Sequence, residues 1–520
     1  MRGWIPAVLG LALAACAGGG TAAETAQRAA PSATTTLEIF ALSDFHGWLF
    51  PRTTRSNPRY FGGIANIAGF LTHRDGAELG RALILDNGDM WTGPVESTLL
   101  QGEPVVTAYN ALGVSAANVA NHEFDFGVET LRTRAAQARF PFLGANVVEK
   151  NTGAAPDYLT PFVVLDRNGV RVGVIGLCFV DTPATTKASN VEGLEFRPYA
   201  ETLKTVVPKV RTAGAEVLVV LLHDTPVAAG AVVEALPADL RPDLVVAGQD
   251  HRRAQLQVAG TPVVNPGAFG ASYARFEVSF DLARREVLGV SSEIIEVTGP
   301  VEAPTHPPVE TLADIARDAR RRTETLASEP LGDLGAPAPV GDFAQSTMGN
   351  LIVDAWLEAF PEEADLAIVN HGGIRQDLPA GPVTLGDITG VMPFENNIYL
   401  LELTGAEVMS QLAIDHPVVG GMTWTYRENA TGREVIEARD RDGNLLVRET
   451  TYRVAVLDFM YTGGDGYEFA KLDNEPIDTG LSWREPVMRA LRAAASEGRA
   501  LVPDVARRAQ EVSLGATSSE

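Results

Sequence analysis

From Leu37 to about Val297, short uninterrupted apolar runs alternate with stretches of helical periodicity. The runs are Leu37–Leu42, Ala82–Leu85, Phe142–Val148, Val172–Phe179, Val217–Leu222 and Leu244–Ala247. A strand with one wet face alternates apolar and polar positions. A run with no alternation is apolar on both faces, so these predict strands in sheets covered on both sides. Polar residues follow several runs at once. Ser43-Asp44-Phe45-His46 follows the first and Asp86-Asn87-Gly88-Asp89 the second, while His223-Asp224 and Gln249-Asp250-His251 close two later ones. In layered α/β folds ligands bind beyond the carboxyl ends of strands, so four tips carrying Asp, His or Gln predict a built site.

The pattern changes after residue 300. Pro304 to about Pro330 encloses an Arg- and Glu-rich helical stretch, Glu310–Ser328, read as a linker helix. A second α/β half follows, with helices expected at Asn350–Phe360 and Gly405–Ile414 and strands at Leu366–Asn370 and Tyr452–Phe459. The predicted division is residues 37–300, a linker at 301–330, and a smaller domain at 331–515, with Gly515–Glu520 frayed.

Composition narrows the class. With 520 residues, 45% hydrophobic and 21% charged, the chain reads as a soluble globular protein of several domains. The 66 acidic against 42 basic residues give a net charge of −24, which repels a phosphate backbone and argues against a nucleic-acid polymer as partner. Only Cys16 and Cys178 are cysteines, which excludes a disulfide scaffold, a cysteine zinc site and an iron–sulfur cluster. Cys178 lies in an apolar run and reads as a buried small hydrophobe.

The start of the chain carries a targeting signal. Arg2 precedes an apolar run, Trp4–Ala15, too short to span a bilayer. It ends in Leu13-Ala14-Ala15-Cys16, which resembles the lipobox of bacterial lipoproteins. That resemblance implies a signal peptide at 1–15, lipid on Cys16, a flexible tether at 16–36, and an exported, periplasmic protein touching the membrane only through its anchor.

Asp44-x-His46, Asp89, Asn121-His122, His223 and His251 offer carboxylate, amide and imidazole donors. Such a mixture suits Zn, Mn, Fe or Co better than the all-oxygen cage of calcium. Asp89 follows Gly88 on a tight turn, placed to bridge two ions about 3.5–4 Å apart.

Asp44-Phe45-His46-Gly47, Gly88-Asp89, Asn121-His122-Glu123-Phe124-Asp125 and His223 resemble the calcineurin-like metallophosphoesterase signature. Asn-His-Glu-Phe-Asp is the form of the bacterial 5′-nucleotidase/UDP-sugar hydrolase family. Gly372-Gly373-Ile374-Arg375, Pro393-Phe394-x-Asn396 and Gly463-Gly464-Asp465-Gly466-Tyr467 are similar to that family's C-terminal substrate domain. The resemblance spans nearly the whole mature chain, in the family's order. It implies a four-layer α/β/β/α metallophosphoesterase domain followed by a smaller α/β substrate-binding domain. Family members rotate the two domains, which would make the linker helix a natural hinge.

Carried over by position, Asp44, His46 and His251 would hold one divalent ion, and Asn121 and His223 a second, with Asp89 bridging. The ions would be drawn from Zn, Mn, Co or Mg. A hydroxide shared by them would attack phosphorus, with His122 assisting the leaving oxygen and Asp125 orienting that imidazole. The substrate would be a small nucleotide, taken by a monomer. Arg375 would bind the anion and Asp465, in the turn of Gly463 and Gly464, the ribose. Phe459 would stack on the base.

The sequence departs from the family pattern in three places. Gln249 stands where an imidazole ligand to the second ion is expected, and an amide oxygen is the weaker donor. Arg375 is the only Arg between Leu366 and Leu403, with no Lys. His416 or Pro417 falls where a second base-stacking Phe is usual, and of the two His416 could still stack. The alternatives are a 2′,3′-cyclic phosphodiesterase/3′-nucleotidase, a UDP-sugar pyrophosphatase, a thiosulfohydrolase, and a non-catalytic surface binding protein. Glu123 reads as a solvated or helix-starting acid, His73, His306 and His371 as surface, and Met90 and Trp91 as core or lining.

Overall fold

The computed structural model describes residues 34–52, 61–79, 81–299, 307–429 and 432–512. The export signal, Cys16, His306 and Gly515–Glu520 lie outside these residues. Thr34–Thr36, read above as the end of the tether, instead begin the first strand, where these β-branched residues pair with Asp281, Phe280 and Ser279.

The first half is built on two six-stranded sheets. One runs Glu286–Glu296, Ser272–Asp281, Thr34–Leu42, Leu83–Asp86, Val114–Asn118, Phe142–Leu143. The other runs Ala254–Val258, Thr261–Asn265, Leu244–Val246, Val217–Leu222, Val170–Leu177, Phe162–Arg167. Each has a parallel centre and an antiparallel edge. Successive strand residues point to opposite faces, and here both faces are covered. Leu37, Ile39 and Ala41 meet Val172, Val174, Val217 and Val219 between the sheets. Phe40 and Leu42 face outward against Ile64, Val105 and Tyr109. On the far side Ile175, Leu218 and Val220 pack on Leu203, Val207 and Val233. That α/β/β/α layering is why the runs show no alternation.

One predicted run divides. Phe142–Leu143 ends the first sheet, Ala145 N–H donates across to Gly176 O, and Val147–Glu149 then pairs with Leu194–Phe196. The expected linker helix is the 21-residue helix Pro307–Ala327. It is not suspended between the halves. Leu312, Ala316 and Ala319 are buried in the first half's core with Ile64 and Ile67, and Arg320 binds Glu96 and covers the Phe50 ring at 3.5 Å. Its i, i+4 apolar stripe therefore has a dry partner, which fixes it to one side.

The second half centres on a five-stranded sheet ordered Pro417–Gly420, Leu366–Asn370, Thr451–Leu457, Asn397–Thr404, Ile477–Ser482. Its only parallel pair is Leu366–Asn370 with Thr451–Leu457, so those two carboxyl ends open side by side. A three-stranded sheet, Gly432–Asp440, Met422–Asn429, Ala509–Glu511, packs beside it. Among the described residues no helix is long and apolar enough to cross a membrane.

Because Leu312 is fully buried, Leu312→Ala is expected to lower unfolding stability by about 2–5 kcal/mol. Denaturant unfolding checks this; a helix merely spanning the halves would give about 0.5 kcal/mol or less.

Candidate metal centre and substrate cleft

The tips of both sheets converge. Asp44 and His46 follow strand Thr34–Leu42, Asp89 follows Leu83–Asp86 and Asn121 follows Val114–Asn118 on the first sheet. His223 follows Val217–Leu222, and Gln249 and His251 follow Leu244–Val246 on the second. The backbone there is strained. Asp44 (φ 51°), His46 (48°), Asp89 (54°), Gln249 (70°) and His251 (59°) all adopt left-handed conformations, which cost of order 1–3 kcal/mol each and gather at functional sites. Two glycines make the approach possible. A Cβ on Gly88 (φ 95°) would lie 2.7 Å from Ala120 Cβ, and one on Gly248 would lie 2.5 Å from Ser43 Oγ and 2.8 Å from Asp44 Oδ2.

Backbone carbonyls set the imidazole tautomers. His46 Nδ1 donates to Thr92 O at 2.8 Å and His223 Nδ1 to Asn87 O at 2.8 Å, so each turns its Nε2 inward. His46 Nε2 lies 3.1 Å from His251 Nε2, which is 3.5 Å from Asp44 Oδ1. His223 Nε2 lies 3.1 Å from Asp89 Oδ2 and 3.7 Å from Asp44 Oδ1. Asp44, His46 and His251 form one donor group and Asp44, Asp89 and His223 another, the donor atoms of each within 4.8 Å of one another. His122 also comes within that distance of His46 and Asp89.

Charge behaves accordingly. Burial, and His251 beside it, hold His46 well below the usual imidazole range. Burial and the Arg375 guanidinium push His251 down to about 3. Two neutral rings thus face one another. Burial opposes charging His223 as well, yet Asp89 and Asp44 outweigh it and lift the ring to about 10. Burial raises Asp44 to about 6. Asp89 is held well below the carboxylate range because His223 and His122 overcome its burial. Asn121 Oδ1 and Gln249 Oε1 are buried without a hydrogen-bond partner. Unpaired buried acceptors cost about 1–3 kcal/mol each. Bare nitrogens, carboxylates and orphan amide oxygens at one point fit a cation-binding centre.

His122 sits at the edge of this group. Its backbone N–H donates to Asp89 Oδ1 at 2.9 Å and its Nδ1–H to Asp125 Oδ2 at 2.7 Å, and Asp125 Oδ1 accepts from Thr186 Oγ1 at 2.9 Å. Burial works against a charged ring, but Asp125 and Asp89 raise the His122 pKa above its ordinary value.

The second half closes the cleft over this edge. Arg375 Nη2 lies 3.3 Å from His122 Nε2, and Phe394 stacks on the His122 ring with centroids 5.5 Å apart. Arg375, Phe459 and Asp465 line the same cavity as Asp89, Asn121, His122, Gln249 and His251. Asp465 (φ 54°) accepts from Asn370 Nδ2 at 2.7 Å, and Gly464 lies against the Phe459 ring, where a Cβ would come within 2.5 Å. His416 stands apart. It is not part of the cavity wall; its ring is held by Asp415 at 2.9 Å and edges Phe343 at 5.1 Å. The residue expected to stack on a base is instead tied down by its sequence neighbour.

Two site residues escaped the sequence. Lys187, from the first half, lines the cavity and pairs with buried Asp458 at 2.9 Å, a cation the local count around Arg375 could not include. Glu123, read as a solvated acid, is fully buried. Its Oε2 accepts from Asp89 N (2.9 Å) and Ala120 N (2.7 Å), and its Oε1 from Met90 N (2.8 Å). It clamps the loops presenting Asp89 and Asn121, while burial and Asp89 raise its own pKa to about 7. Its adjacency to Asn121-His122 was the available signal. His371, read as surface, is half-buried. Met90, Trp91 and Cys178 are core, as read. Glu123→Gln keeps one acceptor oxygen and turns an NH₂ toward the N–H donors, so divalent-metal affinity is expected to fall about 10–100-fold, read by titration calorimetry.

Comparison with known proteins agrees with this layout. Residues 326–472 match the family model described as 5′-nucleotidase, C-terminal domain. Protein UshA of Escherichia coli K12 is 26% identical over 462 residues, covering 78% of this chain and 82% of that protein. The cell wall protein Lmo0130 of Listeria monocytogenes is 26% identical over 522 residues, covering 86% of this chain and 66% of its own length, just under two thirds. The crystal structure of a 5′-nucleotidase precursor from Thermus thermophilus superposes with a TM-score of 0.80 at 24% identity, over 92% of this chain and 99% of that one, showing the shared fold. The second half thus matches a 5′-nucleotidase C-terminal domain, and the chain as a whole shares the fold of the Thermus thermophilus structure, an α/β/β/α half followed by a smaller α/β half.

Proposed function

We propose that this chain is a metal-dependent phosphoester hydrolase that removes phosphate from nucleotides, exported and anchored through lipid on Cys16. The observation that carries the reading is the meeting of Arg375 with His122 at the edge of the donor cluster. It faces a guanidinium, an imidazole paired to a carboxylate, and a cation-binding group onto one cavity. Asp44, His46 and His251 would hold one ion and Asn121 and His223 another, with Asp89 between them. Two divalent ions there would supply Lewis-acid neutralisation of phosphoryl charge and an acidified water.

The chain's own residues do the rest. Arg375, half-buried and lacking a partner at its buried Nε, binds the phosphoryl oxygens. His122, charged with the help of Asp125 and Asp89, holds a proton at Nε2 for the leaving oxygen. Thr186 fixes Asp125 and so the ring. Phe459 offers one apolar face to a base, and Asp465, raised to about 6 by burial and Asp415, accepts sugar hydroxyls. Export is supported by the amino-terminal pattern and by the name of the cell wall relative.

Phosphate release from nucleoside 5′-monophosphates, beside a 2′,3′-cyclic nucleotide and a UDP-sugar, tests the activity. Metal-dependent turnover of the monophosphates is expected; absence of metal-dependent turnover on the whole panel counts against hydrolysis. His122→Ala is expected to lower kcat about 10²–10⁴-fold with bound metal unchanged. Arg375→Ala is expected to raise KM about 10–100-fold, the worth of a charge-assisted contact.

A further inference from the structure

The donors at the two positions are chemically unequal. Asp44, His46 and His251 bring two imidazoles and a carboxylate together without help from an amide. The Asp44, Asp89 and His223 group has one imidazole. The two unpaired amide oxygens, Asn121 Oδ1 and Gln249 Oε1, line the same cavity as Asp89. Gln249 is fixed there by its backbone, whose N–H donates to Asp44 Oδ1 at 3.1 Å, and by its left-handed φ of 70°. Nothing else buried nearby pairs its Oε1. Imidazole favours Zn²⁺ and Fe²⁺, whereas carbonyl-type oxygen favours Mn²⁺ and Mg²⁺.

We infer that Gln249 makes the centre a mixed-metal one: an imidazole-rich position selective for Zn²⁺ or Fe²⁺, and an oxygen-rich position, completed by Asn121 and Gln249, selective for Mn²⁺ or Mg²⁺. This rests on the two-ion reading above. Amide oxygens are weaker donors to these ions than imidazole nitrogens, so the position they complete fills second and exchanges first. Gln249 is thus a specificity determinant for the metal rather than for the nucleotide.

The test measures metal, not turnover. The full chain, stripped by a chelator, is titrated with Zn²⁺ alone, Mn²⁺ alone, and both, with bound metal counted by elemental analysis and Mn²⁺ followed by electron paramagnetic resonance. One tight Zn²⁺ is expected, with a second weaker by about tenfold or more. With both metals present, one Zn²⁺ and one Mn²⁺ are expected, giving the spectrum of an isolated Mn²⁺. Gln249→His is expected to tighten the second Zn²⁺ about tenfold or more and to exclude Mn²⁺. Gln249→Leu is expected to lose the second ion and retain the first, which also reports that the variant is folded. Two Zn²⁺ of equal affinity, or a second-ion affinity unmoved by either substitution, overturns the inference and leaves the two-ion reading intact. A native chain that binds at most one ion of any kind overturns the two-ion reading itself.

Discussion

Two fully buried carboxylates, Asp44 and Asp89, share the ring nitrogen of His223, and the rest of the site is organised around that concentration of charge. Burying an uncompensated charge is among the costliest things a fold can do. Without a metal, a proton on His223 can fill the role, which is why that ring is held so far above its usual range. A metal ion bound there would take the same nitrogens and carboxylates as ligands and displace that proton.

Holding those groups in place uses strain elsewhere. Five candidate ligands sit in left-handed backbone, and Gly88 and Gly248 leave out the side chains that would block the approach. The opposing stiffness comes from the double-sheet core, whose strands end in these loops, and from Glu123, whose carboxylate gathers three backbone N–H groups from two of them. A buried carboxylate with three donors is well satisfied and can oppose several kcal/mol of loop strain.

The two halves divide the chemistry. The first supplies the candidate cation-binding group and the His122–Asp125 pair; the second supplies Arg375, Phe459 and Asp465 from the ends of two parallel strands. They meet through His122 against Arg375 and Phe394, and through Lys187 against Asp458. The helix Pro307–Ala327 packs its apolar stripe into the first half's core.

The sequence by itself determined the layers and most of the candidate ligands. Unbroken runs such as Val217–Leu222 require two covered faces, and polar residues directly after such runs can only lie at strand tips. Asp44, His46, Asp89, His223 and His251 were legible for that reason, and Asn121 from its motif with His122, all being bound to local pattern. Tertiary structure alone decided what depends on distant partners. Glu123 looks like any exposed acid until three amides from 33 and 34 residues upstream and from its own loop close on it. Lys187 enters the cleft from the other half, and His416 leaves it because Asp415 and Phe343 hold its ring. Periodicity reports which face a residue presents. It carries no record of which distant group meets that face, and burial, pKa and the cleft itself follow from that meeting.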